Sequence, residues 1–188
     1  MKNIILKLLV IGLLFFVTVQ VNAESVAGNS AGLALNTTLN KSETTATSLN
    51  IKRMAIKSVL EKNGSTMTNE IDSFIATCTK YDLDCYLLPS ISGVESTFGR
   101  FMAPGTNNPF GWGRGLTGFD SFSSAIDTVG RGLRENYMDK WGATNIDEIG
   151  RIYCEGNTWS GKVKYFMNQF RAEENKILLF SVGNPVQL

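Results

Sequence analysis

From residue 51 onward the apolar positions recur at the three-to-four-residue spacing of helices, and few stretches alternate with a period of two. The pattern predicts a first helix over 51–62, closed by Asn63-Gly64, and a second, capped by Thr68, running to about Lys80. Asp84 is positioned to cap a third helix within CYLLPSISGVESTFG, where Pro89 falls early enough to be tolerated. Over 121–139, Phe122, Ala125, Ile126, Val129, Leu133 and Tyr137 share one face, the mark of an amphipathic helix. A short helix is expected from Asn145 to Tyr153. Trp159, Val163, Phe166 and Phe170 form a last stripe reaching about Arg171. The expected fold class is mainly α.

Ahead of residue 51 the pattern changes twice. MKNIILK carries two lysines and no acid, and runs into the apolar stretch Leu8 to Val21 and then Val21-Asn22-Ala23. A basic start, a short apolar run and small residues before the cut predict a secretory signal over 1–23, removed after Ala23. The run is short for a bilayer span of roughly 20 residues. Residues 24–50 are rich in Ser, Thr, Asn, Ala and Gly and hold no aromatic residue, so they read as a disordered tether. The expected folded unit is 51–176, followed by an apolar tail, 177–188, with a turn at Gly183-Asn184-Pro185.

Composition narrows the chemistry. In 188 residues there are 18 Lys plus Arg against 17 Asp plus Glu, so no basic excess favours nucleic acid as a partner. Loss of Lys2 and Lys7 with the leader leaves 16 basic against 17 acidic residues, a net charge of −1. The chain has no His, which removes the Ser-His-Asp and Cys-His devices and every His-based zinc site. No calcium-type acidic loop is present either, and no metal or other cofactor is expected. Export permits disulfides. Cys78 and Cys85 straddle TKYDLD and can staple that turn; alternatively Cys78 is a buried apolar residue on the stripe of Ile71, Phe74 and Ile75. With Cys154 the count is three, so one thiol is odd.

Two features point to a reaction. Residues 99–120, GRFMAPGTNNPFGWGRGLTGFD, concentrate glycine, proline and aromatic residues, and predict a loop or small hairpin lobe beside the helical body. Just before it, Glu95 falls inside the apolar stripe of its helix, within roughly 60° of Leu88, Ile91 and Phe98 at 100° per residue. It also sits in the last helical turn, where the dipole opposes a negative charge. Burial and dipole both push such a carboxyl toward its protonated form, the state that glycosidic cleavage requires of a general acid. The competing structural reading pairs Glu95 with a buried Arg131 or Arg134.

At ISGVESTFG the chain resembles the lysozyme-like superfamily, in particular bacterial endo-β-N-acetylglucosaminidase domains and their lytic transglycosylase relatives. The likeness lies in Glu95-Ser96-Thr97-Phe98-Gly99, then Asn107-Asn108-Pro109-Phe110-Gly111-Trp112-Gly113, then the helix FSSAIDTVGRGLRENYMDKW, then Tyr153 ahead of Trp159-Ser160-Gly161-Lys162-Val163, and covers about residues 70–170. The resemblance implies a lysozyme-like helical body and cleavage of the β-1,4 glycan strands of peptidoglycan. Glu95 is implied as the general acid, with Tyr153 beside the reacting sugar. Asn107, Asn108, Phe110, Trp112 and Tyr137 are implied as substrate-binding, although Tyr153 and Trp112 also suit packing roles, and Trp159 reads as core. The chain lacks the Gly-Leu-Met-Gln run of soluble transglycosylases, which favours the glucosaminidase branch. A second carboxylate is poorly represented: Asp120 alone lies in the lobe, and it suits the helix cap. Attack by the substrate's own acetamido group is then the expected route. The expectation is an exported monomer, periplasmic or extracellular, with glycan strands as partner and no membrane anchor once the leader is gone. A lytic transglycosylase and a non-catalytic wall-binding module are the alternatives.

Overall fold

A computed structural model describes the backbone of residues 23–183 and the side chains from 42 to 181. The predicted leader therefore lies outside the described residues except for Ala23. Among the described residues six α-helices follow one another: α1 (Ala23–Lys62), α2 (Ile71–Lys80), α3 (Leu87–Ser96), α4 (Phe122–Gly132), α5 (Ile146–Tyr153) and α6 (Trp159–Gly183). A π-helical segment, Leu133–Lys140, continues directly from α4. There is no strand among the described residues, so the fold is mainly α.

The chain divides into two compact units between Thr44 and Thr45. The first contributes the opening of α1. Residues 24–50, expected as a disordered tether, are helical throughout. No proline interrupts Ala23–Lys62, so every backbone N–H past the first turn has a helical partner available. From 42 to 48 the side chains are exposed, and the helix there presents no packed face.

The second unit holds the core. Helix α1 ends at Lys62 as expected, because Gly64 takes φ +61° and the Ser65 N–H returns to the Leu60 carbonyl. The cap of α2 is Glu70 and not Thr68, since the chain turns once more before Ile71. Helix α3 runs through the middle. Leu87 through Gly93 are all buried, and small residues, Ser90, Ser92 and Gly93, let its neighbours approach. It packs on α6, while α2 packs on α4 and α5 on both α6 and the π-helical segment. Ile91, Ile126, Val129, Leu133, Val163 and Phe170 are completely buried, each contributing about 1.5–3 kcal/mol by removal from water. The stripe predicted over 121–139 is therefore real, but from Leu133 it is π-helical, with the Trp141 N–H reaching back five residues to the Asn136 carbonyl.

Covalent and ionic ties close the unit. Cys78 and Cys85 form a disulfide across the α2–α3 turn, so Cys78, although buried, is a staple and not simply an apolar core residue; Cys154 is the free thiol. The cap of α3 is Tyr86 and not Asp84; Asp84 accepts from the Tyr86 N–H at 2.9 Å in the turn ahead of the helix. Helix α6 is joined to α1 by Lys52–Glu174 at 2.8 Å and Lys62–Glu173 at 2.7 Å. It continues past Arg171 to Gly183, so the first part of the predicted tail is helix; no proline or glycine stops it sooner.

Candidate active site

The site grows from the way α3 ends. Glu95 stands one residue from its last position, and Thr97, Phe98 and Gly99 then take φ of +51°, +59° and +81° in succession. Left-handed backbone is costly at Thr and Phe, and three interactions hold it. Phe98 folds back under the helix against Phe166 and Phe170, with ring centroids 5.0 and 6.4 Å away. Gly93 makes room, since a Cβ there would lie 2.7 Å from the Phe98 ring. The Ser65 hydroxyl donates to the Phe98 carbonyl at 2.9 Å, and Thr66 to that of Gly99 at 3.1 Å.

Ser96 joins this end to the loop that follows. Its one hydroxyl proton lies between the Ser92 carbonyl at 3.0 Å and the Pro109 carbonyl at 2.8 Å, and its oxygen accepts from the Gly99 N–H. The predicted lobe, 99–120, is a succession of turns without strands. Asn108 fastens it: the buried amide donates to the Trp112 and Thr117 carbonyls at 2.8 and 3.0 Å and accepts from the Trp112 N–H. Asn107, at φ +48°, donates to the Phe119 carbonyl at 3.0 Å.

Behind Glu95 lies a layer of aromatic rings. Trp159 stacks on Tyr153 at 4.8 Å between centroids, and Tyr153, Trp112 and Tyr137 meet one another at 5.9 Å. The wider π-helical turn brings Tyr137 into this layer, in keeping with the placement of such turns at functional sites. Gly132 admits the Trp112 indole, which a Cβ would approach to 2.8 Å.

Glu95 is half-buried at the floor of a groove of about 530 Å³ lined also by Arg100, Phe101, Asn108, Gly111, Arg114 and Leu116. The Trp159 indole N–H donates to its Oε1 at 2.6 Å. Its Oε2 faces Gly111, whose φ is +64° and where a Cβ would come within 2.7 Å of that oxygen. Burial raises the affinity of Glu95 for its proton, against the opposing pull of the Trp159 N–H and the charge of Lys162. Among the described residues Glu95 makes no ion pair. Arg134 instead serves the Tyr81 and Asp82 carbonyls and the Asp82 and Asp139 carboxylates, and Arg131 is exposed, which removes the competing structural reading.

Of the residues singled out in the sequence, Glu95 and Asn108 line this groove. Asn108 spends its amide on the loop, as does Asn107. Phe110, expected to flank the cleft, is 0% exposed; its ring joins the core, and its carbonyl accepts from the Tyr153 hydroxyl at 2.6 Å. Tyr153, expected beside the reacting sugar, therefore stands one layer back with its hydroxyl engaged. Burial, followed by the charge of Glu95, holds that hydroxyl well above the ordinary tyrosine range, so it stays protonated. Trp112 and Tyr137 likewise belong to the aromatic layer. Asp120 is exposed and lies outside the groove lining; Ser121, rather than Asp120, caps α4 by accepting from the Ser124 N–H. Trp159, 3% exposed, reads in the sequence only as a core residue, yet it is the direct partner of Glu95.

A half-buried acid whose hold on its proton is strengthened by burial, with one oxygen fixed and the other beside an open groove, can deliver a proton to a bound leaving group. No family model matches the chain, and no curated protein matches it.

Proposed function

We propose that the protein cleaves the β-1,4 glycan strands of peptidoglycan, in the manner of an endo-β-N-acetylglucosaminidase, with Glu95 as general acid. One observation carries this reading: a single carboxyl, biased toward its protonated form by burial and in no ion pair among the described residues, lining a groove whose other lining residues include no acid. The exposed rings and chains of Phe101 and Leu116, 67% and 78% accessible, offer the apolar surface on which sugar faces rest.

In this mechanism Glu95 donates its proton to the glycosidic oxygen as the bond to the anomeric carbon breaks. The acetamido oxygen of the same sugar attacks that carbon, supplying the nucleophile that the groove lacks. Glu95, now a carboxylate, takes a proton from water as water opens the cyclic intermediate. Trp159 steadies the carboxylate in the interval by its N–H. The same single acid also serves transglycosylation, in which the sugar's own 6-hydroxyl replaces water; anhydro ends on the released fragments would identify it, and reducing ends hydrolysis. The basic and apolar start of the chain suits export to such a substrate, and among the described residues no helix is long and apolar enough to cross a membrane.

The test is a zymogram with embedded peptidoglycan. Glu95→Gln keeps an oxygen for the Trp159 N–H and removes the proton donor, so clearing should fall by about 10²-fold or more. Undiminished clearing by that variant would end the assignment, and binding to purified sacculi without release of fragments would favour a wall-binding module.

A further inference from the structure

We propose that Arg100 and Arg114 form a carboxylate-binding subsite on the walls of the Glu95 groove, and that the glycan it accepts carries acidic substituents. This rests on the glycan-cleaving reading above and adds a substrate requirement to it.

Among the described residues Arg100, Arg114 and Arg131 make no ion pair, and of these only Arg100 and Arg114 line the groove. Arg53, Arg134, Arg151 and Arg171 each stand within 4 Å of a carboxylate. Arg114 has no hydrogen bond or ion pair among the described residues, and Arg100 makes only a 3.4 Å contact with the Asn63 carbonyl and lies 5.4 Å from the Phe101 ring centroid. Both are exposed, and both line the groove that has Glu95 at its floor. Neither pairs with Glu95, so the two positive charges are free for a ligand without drawing the proton off the acid.

The backbone at Arg114 adds a second observation. Arg114 takes φ +61° in a stretch where Gly111, Gly113 and Gly115 have φ of +64°, +60° and +78°. Glycine would occupy this position without strain, whereas a side chain there costs on the order of 1 kcal/mol. A long cationic side chain placed where the backbone disfavours any side chain is the kind of strain found at ligand clamps. Guanidinium groups match carboxylates in geometry as well as charge, because two parallel N–H donors meet two oxygens.

On a peptidoglycan strand a carboxylate has two sources, the lactyl ether of the muramyl sugar and the peptide stem attached to it. Three probes separate them when bound to the full chain carrying Glu95→Gln: an uncharged N-acetylglucosamine hexamer, a peptide-stripped strand with free lactyl carboxylates, and a peptide-bearing strand. At low salt, one or both charged strands should bind about tenfold tighter than the hexamer. That preference should shrink in the Arg100→Gln/Arg114→Gln chain. It should also shrink in about 0.5 M salt with the arginines intact, a measurement that stands if the double variant does not fold. Equal binding of all three probes, or a preference that survives both treatments, overturns the subsite and leaves the glycan reading in place. Failure of every probe to bind overturns the glycan reading itself and the subsite with it.

Discussion

Glu95 and the loop facing it share one groove but are held in different ways. On the α3 side, Ser96, Ser65 and Thr66 engage the backbone from Ser92 to Gly99, and Phe98 is locked between Gly93 and Phe166. On the facing side, Phe101, Arg114 and Leu116 stand in solvent on a backbone rich in glycine. Under the proposed function the contrast separates two demands. Proton transfer needs an acid fixed to within a fraction of an ångström, and rigid packing supplies that. Holding a long, repetitive polymer needs surface and charge, which an exposed loop offers with little effect on stability.

The sharpest way to break this contrast is a pair of phenylalanines three residues apart. Phe98→Ala empties a fully buried site under α3 and should cost about 3–5 kcal/mol in urea unfolding, with loss of activity. Phe101→Ala should change stability by no more than about 0.5 kcal/mol while weakening binding of glycan. Equal stability losses would mean that the loop is as integral as the helix end. Next in size, Cys78→Ala with Cys85→Ala opens a short disulfide loop far along α3 from Glu95, and should cost about 2–3 kcal/mol of stability. Its activity at low temperature should remain near that of the parent. Gly111→Ala should cost about 1 kcal/mol through its positive φ, and about tenfold in rate because the new methyl meets Glu95 Oε2. A pH–rate profile of that variant should keep the parent's shape if the damage is steric.

Trp159→Phe tests the acid itself with a smaller effect. In the proposed mechanism a protonated Glu95 is the working form, so activity should fall as pH rises through its pKa. The Trp159 N–H favours the carboxylate, and its removal should move the alkaline limb to higher pH while lowering the maximum rate a few-fold. The smallest effect belongs to Glu173. Lys62 and then Ser58 hold its carboxyl down at about 2. The stability it lends is therefore present above the ordinary carboxylate range and fades as pH falls toward that value. Glu173→Gln should flatten the thermal stability profile between about pH 5 and about pH 2, read by melting temperature.

Hydrophobic spacing alone makes much of the molecule legible. The stripe of Ala125, Ile126, Val129 and Leu133 is core, and Glu95 stands out as an acid among apolar neighbours. Other features leave no trace in that spacing. The π-helical turn at Tyr137 changes backbone hydrogen bonding without changing which residues are apolar. Phe110 and Phe101 both lie in the same glycine-rich stretch, and only tertiary packing decides that one is core and the other solvent-exposed. Trp159 reads as core because it is core; its N–H projects from a buried ring to Glu95, and a sequence shows the ring alone. The helix through 24–50 is hidden by its polar composition, which argues for disorder, while only the lack of a proline argues for helix.

Ser96 carries an implication for anyone wishing to re-engineer this groove. One small alcohol is the rivet between the helix bearing the acid and the segment forming the opposite wall, through the Pro109 carbonyl. A transplanted wall from another protein would need to bring a backbone oxygen to that same spot, whatever its own side chains. Donor loops can therefore be screened by the path of their main chain at a single point before a residue of their sequence is considered.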